Sequence, residues 1–202
     1  MLEISRKDVT AEGLMGYDAE IRYLKLPVKG YLDLLNIDPI PSQTALINAL
    51  NNPKYRFVCA ALSRRQGKTY ISNVIGQLMA LIPNTNILLM SPNYSLSQIS
   101  FDLQRNLIKH FDLEVTRDNA KERIIELSNG STVRMGSINQ VDSCVGRSYD
   151  LIIFDEAALV DGRDAFNVAL RPTLDKPNSK AIFISTPRGR NNWFSDFYNR
   201  GY

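Results

Sequence analysis

Between an apolar run over residues 55–62 and a helix-patterned stretch ending near Pro83 stands Gly67-Lys68-Thr69, and few folds have a use for those three residues there. A buried strand that turns into a helix through a tight loop aims successive backbone N–H groups, and the positive end of the helix, at one point in space. Such a point holds a phosphate. A lysine in this position reaches the β- and γ-phosphates of a nucleoside triphosphate, and the threonine hydroxyl coordinates its magnesium. The full phosphate-loop pattern asks for glycine five positions before Gly67, where this chain has Leu62, so the loop reads Ser63-Arg64-Arg65-Gln66-Gly67-Lys68-Thr69 with a departure at its start. A chance Gly-Lys-Thr at a helix start is the competing explanation.

A second segment decides between them. Residues 151–154 are four apolar residues followed by Asp155 and Glu156. A strand buried on both faces carries Asp155 to its C-terminal end, the edge where open α/β sheets place their ligands and where the phosphate loop also lies. Asp155 there holds magnesium through a water, and Glu156 orients and deprotonates the water that attacks the γ-phosphate. The chemistry expected is hydrolysis of ATP with Mg2+ rather than transfer to a second substrate.

The rest of the chain agrees with an α/β fold. Strands are expected over 86–90, 151–154 and 180–185, with helices over 42–50, 96–111 and around 164–170, and a hairpin of 123–127 with 132–135 about Asn129-Gly130. Alternation of this kind predicts a mainly parallel sheet flanked by helices. At 202 residues the chain suffices for one well-buried core, and 44% hydrophobic with 22% charged residues is ordinary for a folded protein. We read residues 1–40 as an N-terminal arm without a matching motif and 41–202 as the core. The formal net charge of +3 is too small to identify a nucleic-acid binder. No apolar run approaches the length of a membrane span, and no secretory signal opens the chain. Cys59 and Cys144 lack metal-type spacing and are expected reduced, and the lone His110 is expected to serve packing or solvent contact.

Three further features refine the site. Gln43, in Pro41-Ser42-Gln43, carries an amide able to donate to and accept from an adenine edge, although a helix-cap neighbourhood with a solvated glutamine explains the same residues. Ser185 and Thr186, before Pro187, close the last apolar strand, where hydroxyls can sense the γ-phosphate. Arg64, Arg65, Arg147, Arg188 and Arg190 fall in loops expected on the nucleotide face, and any of them can neutralise transition-state charge.

Taken together, the arginine after Ser63 in the phosphate loop, the preceding Pro41-Ser42-Gln43, the Ile153-Phe154-Asp155-Glu156-Ala157 segment and Ser185-Thr186-Pro187 resemble the large terminase subunits of viruses. Those proteins are motors that pump double-stranded DNA into preformed capsids. The resemblance covers about residue 40 to the C-terminus and implies a P-loop NTPase core of ASCE type. It implies Gln43 on adenine, Arg64 as an arginine acting in cis, and Ser63, Arg65, Gln66 and Gly67 in the phosphate loop. Lys68 and Thr69 fall on phosphates and metal, Asp155 becomes the magnesium ligand, Glu156 the catalytic carboxylate, and Ser185 with Thr186 the coupling motif. The family's Arg-Gly pair before this acidic strand, proposed to reach a neighbouring subunit, is here inverted as Gly146-Arg147. Implied partners are DNA, the viral portal, the small terminase subunit and further copies in a ring, a pentamer in the family, with a monomer expected in isolation; the implied location is the cytoplasm of an infected host. The lid subdomain and the nuclease domain that normally follow are not matched, so DNA cleavage is not expected of this chain. A helicase-like translocase and a noncatalytic nucleotide-gated module are the alternative classes.

Overall fold

The computed structural model describes residues 28–200. Residues 1–27 of the expected N-terminal arm lie outside that range. Its remaining part begins with helix α1 (Val28–Leu34), whose Tyr31 and Leu32 are buried in the core that the rest of the chain builds.

Helix α2 (Pro41–Leu50) opens with Pro41, whose missing N–H is harmless at a first helical position. Strand β1 (Phe57–Ala61) leads through the Gly67 loop into α3 (Lys68–Ala80). Strand β2 (Asn86–Ser91) is followed by α4 (Tyr94–His110), capped by Asn93, whose side chain accepts from the Leu96 N–H at 3.0 Å. Then come β3 (Val115–Asn119), β4 (Ile124–Leu127), β5 (Thr132–Ser137), β6 (Leu151–Asp155) and β7 (Lys180–Ser185), and finally helix α5 (Trp193–Arg200).

The seven strands form one sheet in the order β1-β7-β6-β2-β5-β4-β3. The first five run parallel, whereas β4 pairs antiparallel with β5 and β3 antiparallel with β4. Every residue of β6 is buried, as the apolar run predicts for a central parallel strand. Side chains alternate between two cores. Ile87, Leu89, Ile153, Ile182 and Ile184 face α3, packing on Ile71, Val74, Ile75 and Leu78. Leu88, Met90, Ile152, Phe154, Ala181 and Phe183 face the other way, onto Phe166, Trp193 and Phe197. Burial of each of the larger of these side chains stabilises the fold by roughly 1.5–3 kcal/mol, enough to pin the register because a one-residue slip would exchange the two cores.

The structure differs from the sequence expectation in three elements. Strand β3 has no apolar alternation to reveal it; it is a charged outer strand whose Arg117 pairs with Glu122 at 2.8 Å and Glu126 at 3.0 Å, while its Asp118 takes Arg105 from α4 at 2.8 Å. The helix expected near 164–170 is a π-helical turn, Ala165–Leu170, tightening into a 3-10 turn at Arg171–Thr173, where Pro172 has no N–H to continue an α-helical ladder. Helix α5 is too short for its periodicity to stand out.

Candidate active site

The C-terminal ends of β1, β7 and β6 lie side by side, because Ala61 pairs with Ser185 and Asp155 with Ile184. The phosphate loop, the acidic pair and the Ser185 segment therefore meet at one edge of the sheet. Within the loop, Arg65 and Gly67 both take left-handed conformations, with φ of 62° and 64°. Turns of this handedness between residues of ordinary handedness curl successive N–H groups into a concave anion nest. Helix α3 starts on Gly67 with no side-chain cap and no acid in its first turn, so its orphan N–H groups and positive end remain for a ligand.

Side chains brace this loop from outside. Gln66 Oε1 accepts from the Ser63 N–H at 2.9 Å and the Ser42 hydroxyl at 3.4 Å. Gln43 Nε2 donates to the Gln66 carbonyl at 3.0 Å, while Gln43 Oε1 accepts from the Ile40 N–H at 3.2 Å. Gln43 is thus neither solvated nor merely a cap. It is buried and ties α2 to the phosphate loop, with one N–H of its amide beyond these bonds.

Lys68 is buried, and its ammonium lies 3.2 Å from Glu156 Oε1 and 3.3 Å from the Ser63 carbonyl. The Thr69 hydroxyl donates to Asp155 Oδ2 at 2.5 Å, joining residues 86 positions apart in the chain. Asp155 Oδ1 accepts from the Glu156 N–H at 3.0 Å. Burial pushes the Asp155 carboxyl up to about 6, and the neighbouring Glu156 charge adds to this, against the opposing pull of the Thr69 hydroxyl, the Glu156 N–H and Lys68. A carboxylate this buried gains from a cation beside it, and Thr69 Oγ1 with Asp155 Oδ2 is a hard oxygen pair suited to Mg2+, which keeps waters and phosphate oxygens as its other ligands. Among the described residues no cluster of three or more His, Cys, Asp or Glu side chains suggests a site held by protein ligands alone.

Glu156 also has left-handed backbone, with φ of 52°, which breaks the strand direction and turns its carboxylate toward Lys68. Its other oxygen lies 3.4 Å from Ser185 Oγ. Ser185 Oγ in turn accepts from the Ala158 N–H at 3.0 Å, so one hydroxyl contacts both the acid and the turn behind it. Thr186 is half-buried next to it.

The arginines divide. Arg64, Arg65, Arg188 and Arg190 are exposed on segments that leave β1 and β7 at the phosphate edge. Arg147 does not join them, contrary to expectation. It precedes Ser148, whose carbonyl accepts from Asn86 Nδ2 at the first residue of β2, so it sits by the edge where the parallel strands begin. The segment after β5 runs back across the sheet through Ile138–Cys144 before entering β6, which a reading of loop order alone could not show. Sequence reasoning also passed over Asn73, which donates to the Thr69 carbonyl at 2.8 Å, and Trp193, which donates to the Ala157 and Val160 carbonyls at 2.7 and 2.8 Å behind Glu156. Helical spacing from Thr69 was the available signal for the first; for the second it was the chain's only tryptophan.

A mainly parallel sheet with a phosphate nest and a strand-end acid pair at the same edge defines a P-loop NTPase fold. Residues 59–201 match the family described as terminase large subunit, T4likevirus-type, N-terminal, and the chain belongs to that family. It is 52% identical to the large terminase subunit of Escherichia phage T5 over 202 residues, 100% of this chain and 46% of that protein. It is 28% identical to the large terminase subunit of Thermus phage G20c, over 87% of this chain and 39% of that protein. The chain therefore spans less than half the length of these two relatives. Among solved structures, the large terminase ATPase domain of Thermus phage P74-26 superposes with a TM-score of 0.73 at 25% identity, covering 89% of this chain and 76% of that one.

Proposed function

We propose that this chain is the ATP-hydrolysing part of a motor that drives double-stranded DNA into a viral capsid. The observation that carries the catalytic half of this reading is the 2.5 Å contact of Thr69 with Asp155, which brings the phosphate loop against the acidic strand end. The family and the relatives' names support the motor half.

The backbone of residues 63–68 and the N-terminus of α3 receive the phosphates, and Lys68 neutralises the β- and γ-oxygens. Thr69 and Asp155 would hold Mg2+, which supplies charge neutralisation across the same oxygens. Glu156 accepts a proton from the attacking water while Ser185 steadies its far oxygen. Gln43, fixed to the loop through Gln66, offers its remaining N–H to the base. Arg64 supplies positive charge within the chain, and Arg147, set by the far edge of the sheet, reaches a nucleotide only if that nucleotide belongs to a neighbouring copy. Ser185 and Thr186 pass the loss of the γ-phosphate to the segment that follows. The portal, the small terminase subunit and a ring of copies are the assembly partners in this reading, and the infected cell's cytoplasm is its place of action.

Phosphate release with Mg-ATP, read beside nucleotide affinity, tests the assignment. Glu156→Gln is expected to retain ATP affinity and lose turnover at least ~100-fold, whereas Lys68→Ala is expected to weaken ATP binding itself. Undiminished turnover in the first variant removes Glu156 from the mechanism, and unchanged affinity in the second removes the phosphate loop.

A further inference from the structure

We propose that Trp193 is a positioning residue for hydrolysis, its indole N–H holding the backbone turn that aims Glu156; the inference rests on Glu156 being the base.

Left-handed backbone is sterically unfavourable for a glutamate, so the surroundings must impose it. The 3-10 turn Ala157–Leu159, which begins where Glu156 ends, is held from two sides. On the sheet side Ser185 Oγ accepts from the Ala158 N–H at 3.0 Å. On the other side the single indole N–H of Trp193 is shared between the carbonyls of Ala157, at 2.7 Å, and Val160, at 2.8 Å, which bracket the turn. The ring itself cannot swing away. It is 2% exposed, packs against Phe154, Phe183 and Phe197 at centroid distances of 5.8, 5.7 and 5.3 Å, and lies so close to Gly162 that a Cβ there would fall 2.8 Å from Trp193 Cζ2. A buried indole N–H needs an acceptor, and this one takes the two carbonyls that set the direction in which Glu156 leaves the strand. Arg163, after the turn, pairs with Asp196 of α5, so the helix bearing Trp193 grips the same loop twice.

General-base chemistry depends on this aim, since a displacement of about 1 Å at a reacting group lowers rate by ~100-fold. Trp193→Phe keeps a ring and removes the donor. It is expected to lower kcat ~10- to 100-fold with ATP affinity unchanged, and Trp193→Phe combined with Glu156→Gln is expected to be no slower than Glu156→Gln alone. Backbone amide exchange over residues 157–160 is expected to quicken, a readout that needs no turnover. Because the chain has one tryptophan, incorporation of benzothienylalanine, in which sulfur replaces the indole N–H, tests the same bond if the phenylalanine variant fails to fold. Unchanged kcat or unchanged exchange in a folded variant overturns the proposal, as does a kcat loss matched by loss of ATP affinity. Full turnover in Glu156→Gln instead overturns the reading of Glu156 itself, whatever the tryptophan variants do.

Discussion

Asp155→Asn should make the nucleotide-free protein more stable while disabling it. The Asp155 carboxyl is pushed from 3.8 up to about 6, mainly by burial. A carboxyl with a raised folded value binds more protons folded than unfolded between those two values, so stability falls as pH rises through that window and stays low above about 6. Held at about 6 instead of 3.8, the deprotonated group is unfavourable by about 3 kcal/mol at pH 7.5. Asparagine buries no charge there but keeps one acceptor oxygen for the two donors, Thr69 Oγ1 and the Glu156 N–H, which now share a carboxylate. Losing one such bond returns about 1 kcal/mol, leaving a net gain of about 2 kcal/mol. For a domain of this size that gain raises Tm by about 4–8 °C. The assay is thermal melting in EDTA without nucleotide, at pH 7.5 and pH 5. At pH 5 wild-type Asp155 is largely protonated in the folded state, so the advantage should shrink below about 1 kcal/mol. The same variant should lose Mg-dependent phosphate release. An asparagine variant that melts at or below the wild-type temperature at pH 7.5, or whose advantage is the same at pH 5, refutes the argument.

Two other outcomes follow from the structure. Lys180 Nζ donates to the carbonyls of Leu50, Asn52 and Tyr55 at 2.8, 2.9 and 2.9 Å, fastening the end of α2 to the start of β7. Lys180→Met should therefore destabilise the protein by about 2–3 kcal/mol in urea melts, and an unchanged midpoint would show those contacts to be idle. Arg147→Ala should leave nucleotide affinity of the isolated chain unchanged but reduce turnover in assembled copies. Activity regained on mixing it with Glu156→Gln would place the arginine in a neighbour's site, and a weakened affinity in the isolated chain would contradict its position by the far edge.

Much of this was visible in the chain before folding, and the exceptions share a cause. Residues 151–156 announce both a buried strand and its cargo of acids, because a run buried on two faces needs no alternation and ends where ligands bind. Gly67-Lys68-Thr69 announces the loop for a local reason, since handedness, dipole and ammonium are set within a few residues. Arg147 was misplaced because its location depends on where the chain crosses back under the sheet, which no nearby residue encodes. Gln43 carries an amide whose partner in the loop, Gln66, lies 23 residues away, so its bracing of the loop emerges only when α2 and β1 come together. Trp193 stands out as the chain's only tryptophan, but its role does not, its two acceptors being backbone carbonyls that any residue could supply. β3 escaped because its stability comes from charged pairs across an outer edge rather than from a periodic apolar face.

The contact of Lys68 with Glu156 has a consequence for the order of events. In the proposed reaction the ammonium assigned to the triphosphate and the acid assigned to the water are partners of one another, so the two roles compete for a single ion pair. An arriving γ-phosphate competes for that ammonium and sets the acid free only once fuel is seated. When inorganic phosphate departs, the ion pair closes again, and the cycle resets without any separate brake.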